Sequence, residues 1–310
     1  MTNSTSDNRR PPFVIQKDFI LTAFAKRFQG FVQSSWQQRT WHVITALPGS
    51  GKSWSIRDLV LHSGARKEAT GETYLPVLAI CTPMLETEQA LVTAIATVFG
   101  APVTMPWYIR RNWVVKRMAD VHVECLIFDD AHFLSLSHLS YIKELTDKLA
   151  LPPFQREVGL CLATAHTGDV IPLKKDYFDR PETLWRQFRW RMDTEHPFRV
   201  VPGHTREEVQ RILATYEGLY RSQLPDLNLQ RWTKSIYTWL THQTLDPDAT
   251  KRVTMIYLAR FVTGSLRRAY EQGMTDVDKE ILETMASIML YRRDEFDKSD
   301  DVTPDEPPTP

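Results

Sequence analysis

The sequence predicts a three-layer α/β sandwich on a five-stranded parallel core sheet, followed by a C-terminal helical lid. Three observations predict it. Five short runs are almost continuously apolar and alternate with helix-compatible segments, a glycine-rich loop directly follows the first run, and after Pro202 the pattern changes to helices alone. Runs that are apolar throughout, not alternating, suit parallel strands covered on both faces. Strands interleaved with helices make βαβ units, whose crossovers are right-handed.

The five runs are residues 41–47, 76–82, 123–129, 158–165 and 198–201. Helix-compatible segments between them include 53–62, 86–99, 108–119 and 138–150. Beyond Pro202, Thr205-Arg206-Glu207-Glu208 fits a capping box that opens a helix to about residue 222. Further helices are expected over 229–242 and 249–272, the latter stopped by Gly273, and over 276–293 behind an N-cap at Thr275. The expected organisation is therefore a disordered tail at 1–12, a nucleotide-binding α/β domain at 13–203, a helical lid at 204–293 and a disordered acidic tail at 294–310.

Composition permits this fold. The 310 residues are 42% hydrophobic and 25% charged, as in ordinary globular proteins. No run of about 18 apolar residues is present to cross a membrane, and the N-terminus lacks the apolar core of a secretory leader. Cys81, Cys125 and Cys161 lie in separate apolar runs, with neither metal-binding nor disulfide spacing, so buried reduced thiols and a cytoplasmic location are expected. The net charge of zero is unevenly spread: residues 294–310 hold seven acids against Lys298, a net −6 that leaves the rest near +6. A tail of that composition does not pay for ordering, and a mildly basic body is compatible with a polyanionic partner.

Residues 46–53 read A-L-P-G-S-G-K-S between an apolar run and a helix-compatible segment, the context of a phosphate-binding loop. Gly49 and Gly51 let backbone N–H groups turn toward an anion, Pro48 and Ser50 complete the loop, and the following helix points its positive end at the same place. Lys52 would reach the β- and γ-phosphates of ATP and the Ser53 hydroxyl would ligate Mg²⁺. Ala46 stands where the first glycine of G-x-x-x-x-G-K-S usually does, a position that mainly needs a small residue. In the third run, four apolar residues lead into Asp129 and Asp130. Asp129 would hold Mg²⁺, and Asp130 would orient or deprotonate the attacking water. Most ATPases of this plan carry Glu there. Asp is one methylene shorter, so slow hydrolysis is expected. His132, His138 and His166 lack the spacing of a zinc site and read as ordinary polar or core histidines.

Together the loop strand, the intervening strand, the Asp-Asp strand, a further strand, an arginine cluster and a helical lid resemble an AAA+ P-loop ATPase over about residues 13–293. Within that superfamily, Asp129-Asp130-Ala131-His132-Phe133-Leu134 is similar to the D-E-A-x-x-L run of the TnsC/TniB family of transposition regulators, and residues 185–192 are similar to that family's R-F-R stretch. The resemblance implies an ATP-dependent ring or helical filament on double-stranded DNA. It would link a TniQ-type targeting protein, sometimes a CRISPR effector, to the transposase. It also implies a γ-phosphate sensor at the tip of the fourth run, where Thr164 and His166 are both candidates. Arg189, or else Arg186, is expected as the finger offered to a neighbouring subunit. Arg252, or Arg267 in the G-x-x-R spacing from Gly264, is expected as the second sensor.

The segment 107–117 contains Arg110, Arg111, Lys116 and Arg117 and no acid. In related ATPases the region before the Asp-Asp strand faces the pore, so Arg110, Arg111 and Lys116 are candidates for sequence-independent phosphate contacts. The alternatives are a replicative helicase loader on the same fold and a P-loop ATPase of signalling or secretion that never meets DNA.

Overall fold

The computed structural model describes residues 11–15, 19–69, 71–102, 104–166, 171, 173–179 and 183–299. It divides into two compact units, residues 21–203 and residues 1–20 with 204–310.

In the α/β unit, Thr22 caps α1 (Ala23–Gln38) by accepting from Ala25 N–H. β1 (Trp41–Ala46) leads through the glycine loop into α2 (Lys52–Leu61), and a short hairpin, β2 (Arg66–Lys67) with β3 (Thr73–Tyr74), precedes β4 (Val77–Cys81). Then follow α3 (Glu88–Val98), α4 (Trp107–Asp120), β5 (Cys125–Asp129), α5 (Leu136–Ala150), β6 (Gly159–Ala165), α6 (Thr183–Arg189) and β7 (Phe198–Val201). The sheet is parallel throughout, in the order β4-β5-β6-β1-β7. β6 thus lies between the loop-bearing β1 and the Asp-Asp strand β5, the arrangement of an AAA+ P-loop ATPase fold.

The near-continuous apolarity of the strands follows from this layering. Ile44, Val77, Ile127, Cys161 and Ala163 pack on one side with Phe24, Phe28 and Val32 of α1 and Ile56 and Leu59 of α2. Their neighbours Val43, Leu78, Leu126, Phe128 and Leu160 face the other way, against α3, α4 and α5. Each strand therefore has two dry faces. Gly159 is fixed by the closeness of α1, since a Cβ there would collide with the Ser35 carbonyl. Helix α1 and the hairpin are elements the sequence reading did not anticipate.

The helical unit contains α7 (Arg206–Tyr220), α8 (Thr233–Leu240), α9 (Met255–Glu271) and α10 (Lys279–Ser299) around a core that includes Leu213, Ile236, Phe261 and Leu282. The Thr205–Glu208 capping box is present. Three boundaries differ from expectation. Asp246 accepts from Thr250 N–H, the Thr250 hydroxyl and Lys251 N–H, holding the approach to α9 as a turn, so the helix starts at Met255 and not near 249. Asp278, not Thr275, receives the first-turn amide of α10, that of Ile281. That helix continues through residues 294–299, where disorder was expected, because no Pro or Gly interrupts it; residues 300–310, like 1–10, lie outside the described residues.

The N-terminal boundary also moves. Phe13 stacks on Tyr220 at 5.5 Å and meets Tyr270 at the same distance, the Tyr270 hydroxyl donates to the Pro11 carbonyl, and Gln223 bonds both ways with the Val14 backbone. Pro11, Phe13 and Val14 therefore belong to the helical unit, not to the α/β domain. No helix among the described residues is long and apolar enough to cross a membrane.

Candidate nucleotide-binding site

β1 ends at the fully buried Ala46, which pairs with Ala165 on one side and Val201 on the other, so a small residue is what the sheet accepts here. The chain then turns: Ser50 N–H donates to the Leu47 carbonyl, and Gly49 and Gly51 sit at φ 70° and 106°. Those left-handed values are the conformation for which glycine is needed. Gly51 caps α2, whose first bond runs from Ser55 N–H to the Gly51 carbonyl at 2.9 Å. Pro48, Gly49 and Ser53 are exposed, while Ser50 is buried and its Oγ has no hydrogen-bond partner among the described residues.

Lys52 opens α2 and is only 6% exposed, with Nζ 3.5 Å from the Leu47 carbonyl. Burial pushes its pKa down, and the carboxylates of Asp129 and Asp130 pull it back up. A buried ammonium between a glycine turn and two acids has the charge pattern of a phosphate-binding lysine.

Opposite it, β5 ends at Asp129, whose carbonyl is clamped by Thr82 through the backbone N–H at 3.0 Å and the hydroxyl at 2.7 Å. Its Oδ1 accepts from Asp130 N–H at 3.0 Å. Asp130 lies in the left-handed region, at φ 52° and ψ 41°, and starts the 3-10 turn Ala131–Phe133. Among non-glycine residues, Asp and Asn enter this region most readily because their short polar chains bond locally. The backbone thus supplies a physical reason for Asp where relatives of this plan carry Glu. Cys81, paired with Asp129 in register, is exposed, contrary to expectation, whereas Cys125 and Cys161 are buried. Burial pushes the Cys125 thiol up to about 12.

At the tip of β6 the two sensor candidates separate. Thr164 is fully buried and its hydroxyl lies 2.9 Å from that of Thr45 on β1. His166 is half-buried; its backbone N–H donates to the Ala46 carbonyl at 3.1 Å, and its Nδ1 has no hydrogen-bond partner among the described residues. A residue that the sequence reading set aside joins them. His132, in the turn after Asp130, accepts from Ala165 N–H at Nδ1, 3.5 Å away. Burial lowers its pKa most, the Asp130 carboxylate raises it, Lys52 lowers it and Asp129 raises it. His138 is instead structural, completing a capping box with Ser135 at the start of α5.

The remaining candidates divide. Arg186 and Arg189, on α6, are both exposed. Arg252 is half-buried in the helical unit, just ahead of α9, and Arg267 is exposed near the C-terminal end of that helix. Arg110, expected as a phosphate contact, is 8% exposed and donates to Thr93 Oγ1 at 2.9 Å and to the Met105 carbonyl at 2.7 Å. Arg111 is ion-paired with Glu88 and Glu144 and lies over the Tyr141 ring. Both are spent within the fold; Lys116 alone of the three is exposed. Among the described residues, no group of three His, Cys, Asp or Glu side chains is placed to hold a metal ion.

Fold and loop together have the arrangement of the AAA+ P-loop fold. Residues 36–163 match the family model described as AAA domain. No curated protein matches the sequence. Among solved structures, the ORC2 protein of Aeropyrum pernix in ADPNP and ADP complexes is similar at 12% identity and TM-score 0.57, over 86% of this chain and 66% of that one. Its ADP form is similar at 12% identity and TM-score 0.55, over 91% and 70%. The Drosophila ORC bound to DNA is similar at 13% identity and TM-score 0.52, over 89% and 63%. The chain thus spans just under two thirds of the length of the first and third of these, and the likeness is one of fold.

Proposed function

We propose that this chain binds and slowly hydrolyses ATP and that its nucleotide state controls assembly on double-stranded DNA, as a regulator of transposition. The observation that carries the reading is the meeting of Lys52, Asp129 and Asp130 at the end of a sheet in which β6 separates the loop strand from the Asp-Asp strand. The loop amides and the N-terminal end of α2 would cradle the phosphates, Lys52 would neutralise them, and Asp130 would orient the attacking water. The exposed Ser53 hydroxyl and the Asp129 carboxylate fit a magnesium ion, which when bound supplies charge neutralisation at the β- and γ-phosphates. The exposed Arg189 and Arg186 are offered as fingers to a neighbouring copy, His166 as first sensor and Arg252 as second. Lys116 is the DNA contact retained on α4. The transposition role, with a transposase and a TniQ-type protein as partners, rests on the similarity of residues 129–134 and 185–192 to the TnsC/TniB family.

A second reading, a replication-initiator protein, is favoured by the likeness to the ORC structures. The two separate on partner choice: co-assembly with the transposase on duplex DNA of arbitrary sequence supports the first, and recruitment of a replicative helicase supports the second. The ATP step is tested by Lys52→Ala, which should lose nucleotide binding and DNA-dependent assembly together. Unchanged assembly of that variant with ATP would sink the mechanism.

A further inference from the structure

The turn that follows Asp130 carries a group which the ATPase reading has not used. Asp130's left-handed backbone sends residues 131–133 into a 3-10 turn that packs on β6, and His132 reaches the tip of that strand, where the Ala165 amide donates to its Nδ1. The ring is therefore anchored between the Asp-Asp turn and the strand that separates it from the phosphate loop. An imidazole that accepts at Nδ1 carries its hydrogen on Nε2 when neutral. Nε2–H is then a donor on the side of the ring away from Ala165.

We propose that His132 is a third polar group of the hydrolytic centre, its Nδ1 fixed by the Ala165 amide so that Nε2–H is presented to the γ-phosphate of bound ATP. The proposal rests on the ATPase reading and deepens it. The charges felt by the ring are those of the site itself: Lys52, Asp129 and Asp130. Burial, the largest influence, favours the neutral imidazole that accepts at Nδ1, and a neutral donor adds no positive charge beside Lys52. The chemistry has a use for such a donor. A carboxylate one methylene short leaves the water and γ-phosphate less tightly positioned, and a fixed donor aimed at the phosphoryl oxygens stabilises the charge that develops there.

Three substitutions separate a donor from a structural prop. His132→Asn keeps an acceptor where Nδ1 meets the Ala165 amide and removes the Nε2 donor; His132→Gln keeps a donor near Nε2; His132→Ala removes both. All three should bind a fluorescent non-hydrolysable ATP analogue within about twofold of the wild type, a shared check that the site is folded. Turnover should then rank wild type, Gln, Asn and Ala, with kcat in the Asn variant down by about 10²-fold at nearly unchanged KM and Gln recovering most of the loss. An Asn variant at the wild-type rate would overturn the proposal, as would a Gln variant as slow as Ala. The Gln–Ala comparison decides alone if Asn fails to bind the analogue. Failure of the wild type itself to bind it would instead overturn the ATPase reading, and this proposal with it.

Discussion

The hydroxyls of Thr45 and Thr164 meet across β1 and β6, 2.9 Å apart, with both side chains fully buried. One of the two hydroxyls donates to the other inside the sheet, so Thr164 is held by its neighbour on β1, and we propose His166 as the sensor at the tip. Thr164→Val should strand the Thr45 hydroxyl and cost about 1–3 kcal/mol. The double variant Thr45→Val/Thr164→Val should recover most of that loss and hydrolyse ATP at the wild-type rate. Urea unfolding and phosphate release read the two effects, and a double variant without ATPase activity would return Thr164 to the sensor role.

Asp130 combines a short carboxylate with a left-handed backbone. Asp130→Glu should hydrolyse ATP faster by restoring reach, while losing about 1 kcal/mol of stability to the φ it must adopt. Asp130→Asn keeps the backbone preference and should retain ATP but not split it. Phosphate release at saturating ATP, alongside chemical denaturation, checks both. A Glu variant slower than wild type at equal nucleotide affinity would show that reach is not what limits turnover.

The cations of α4 predict opposite outcomes for neighbouring substitutions. Arg111→Ala removes the partner of Glu88 and Glu144 and should cost about 1–2 kcal/mol of stability, modest because solvent screens groups that are about one-third exposed. It should leave the salt dependence of DNA binding unchanged. Lys116→Ala should do the reverse, with stability within about 0.5 kcal/mol and a salt slope shallower by about 0.9. Binding titrations between 50 and 200 mM salt, roughly the range in which phosphate contacts are felt, separate the two.

His138 sets a pH dependence of stability. Ser135 N–H donates to its Nδ1 and the ring's Nε2 lies 2.9 Å from the Thr87 carbonyl, which fixes a neutral ring with hydrogen on Nε2. Burial pushes its pKa below the ordinary 6.5, and the Thr87 and Leu85 carbonyls pull it part of the way back. The unfolded chain takes up a proton at the ordinary value and the folded chain only at lower pH, so between those values the unfolded state binds more protons. Stability should therefore be lost as pH falls below about 6.5 and level off once the folded pKa is passed. His42 and His132 act in the same direction. Urea midpoints from pH 7.5 to 5.5, compared with those of His138→Gln, measure this residue's share; identical profiles would remove it from the account.

The strands and the glycine loop were legible because their constraints are local. A doubly covered strand needs an apolar residue at nearly every position, and a phosphate loop needs glycines at fixed offsets. Helix α1 was harder to read because Phe24, Phe28 and Val32 form a thin stripe among Gln, Ser and Gly. The partners of the basic run of α4 were hidden for a different reason: the acids that neutralise Arg111 lie on α3 and α5, and the acceptors of Arg110 on α3 and the following loop. Charge counted along a sequence does not reveal partners brought in by the fold. His132 reads in the sequence as an ordinary polar histidine because its approach to β6 depends on the turn that Asp130 makes, which nothing in the residue types announces.

The pairing of Phe13 with Tyr220 and Tyr270 also alters the covalent plan of the molecule. The α/β unit is a guest within the helical one, entered after Ile20 and left after Gly203, so two peptide connections join the units where a simple tandem would have one. A truncation at Leu21, the start of the α/β unit, removes Phe13 from its place against two tyrosines and opens the core of the opposite end of the chain.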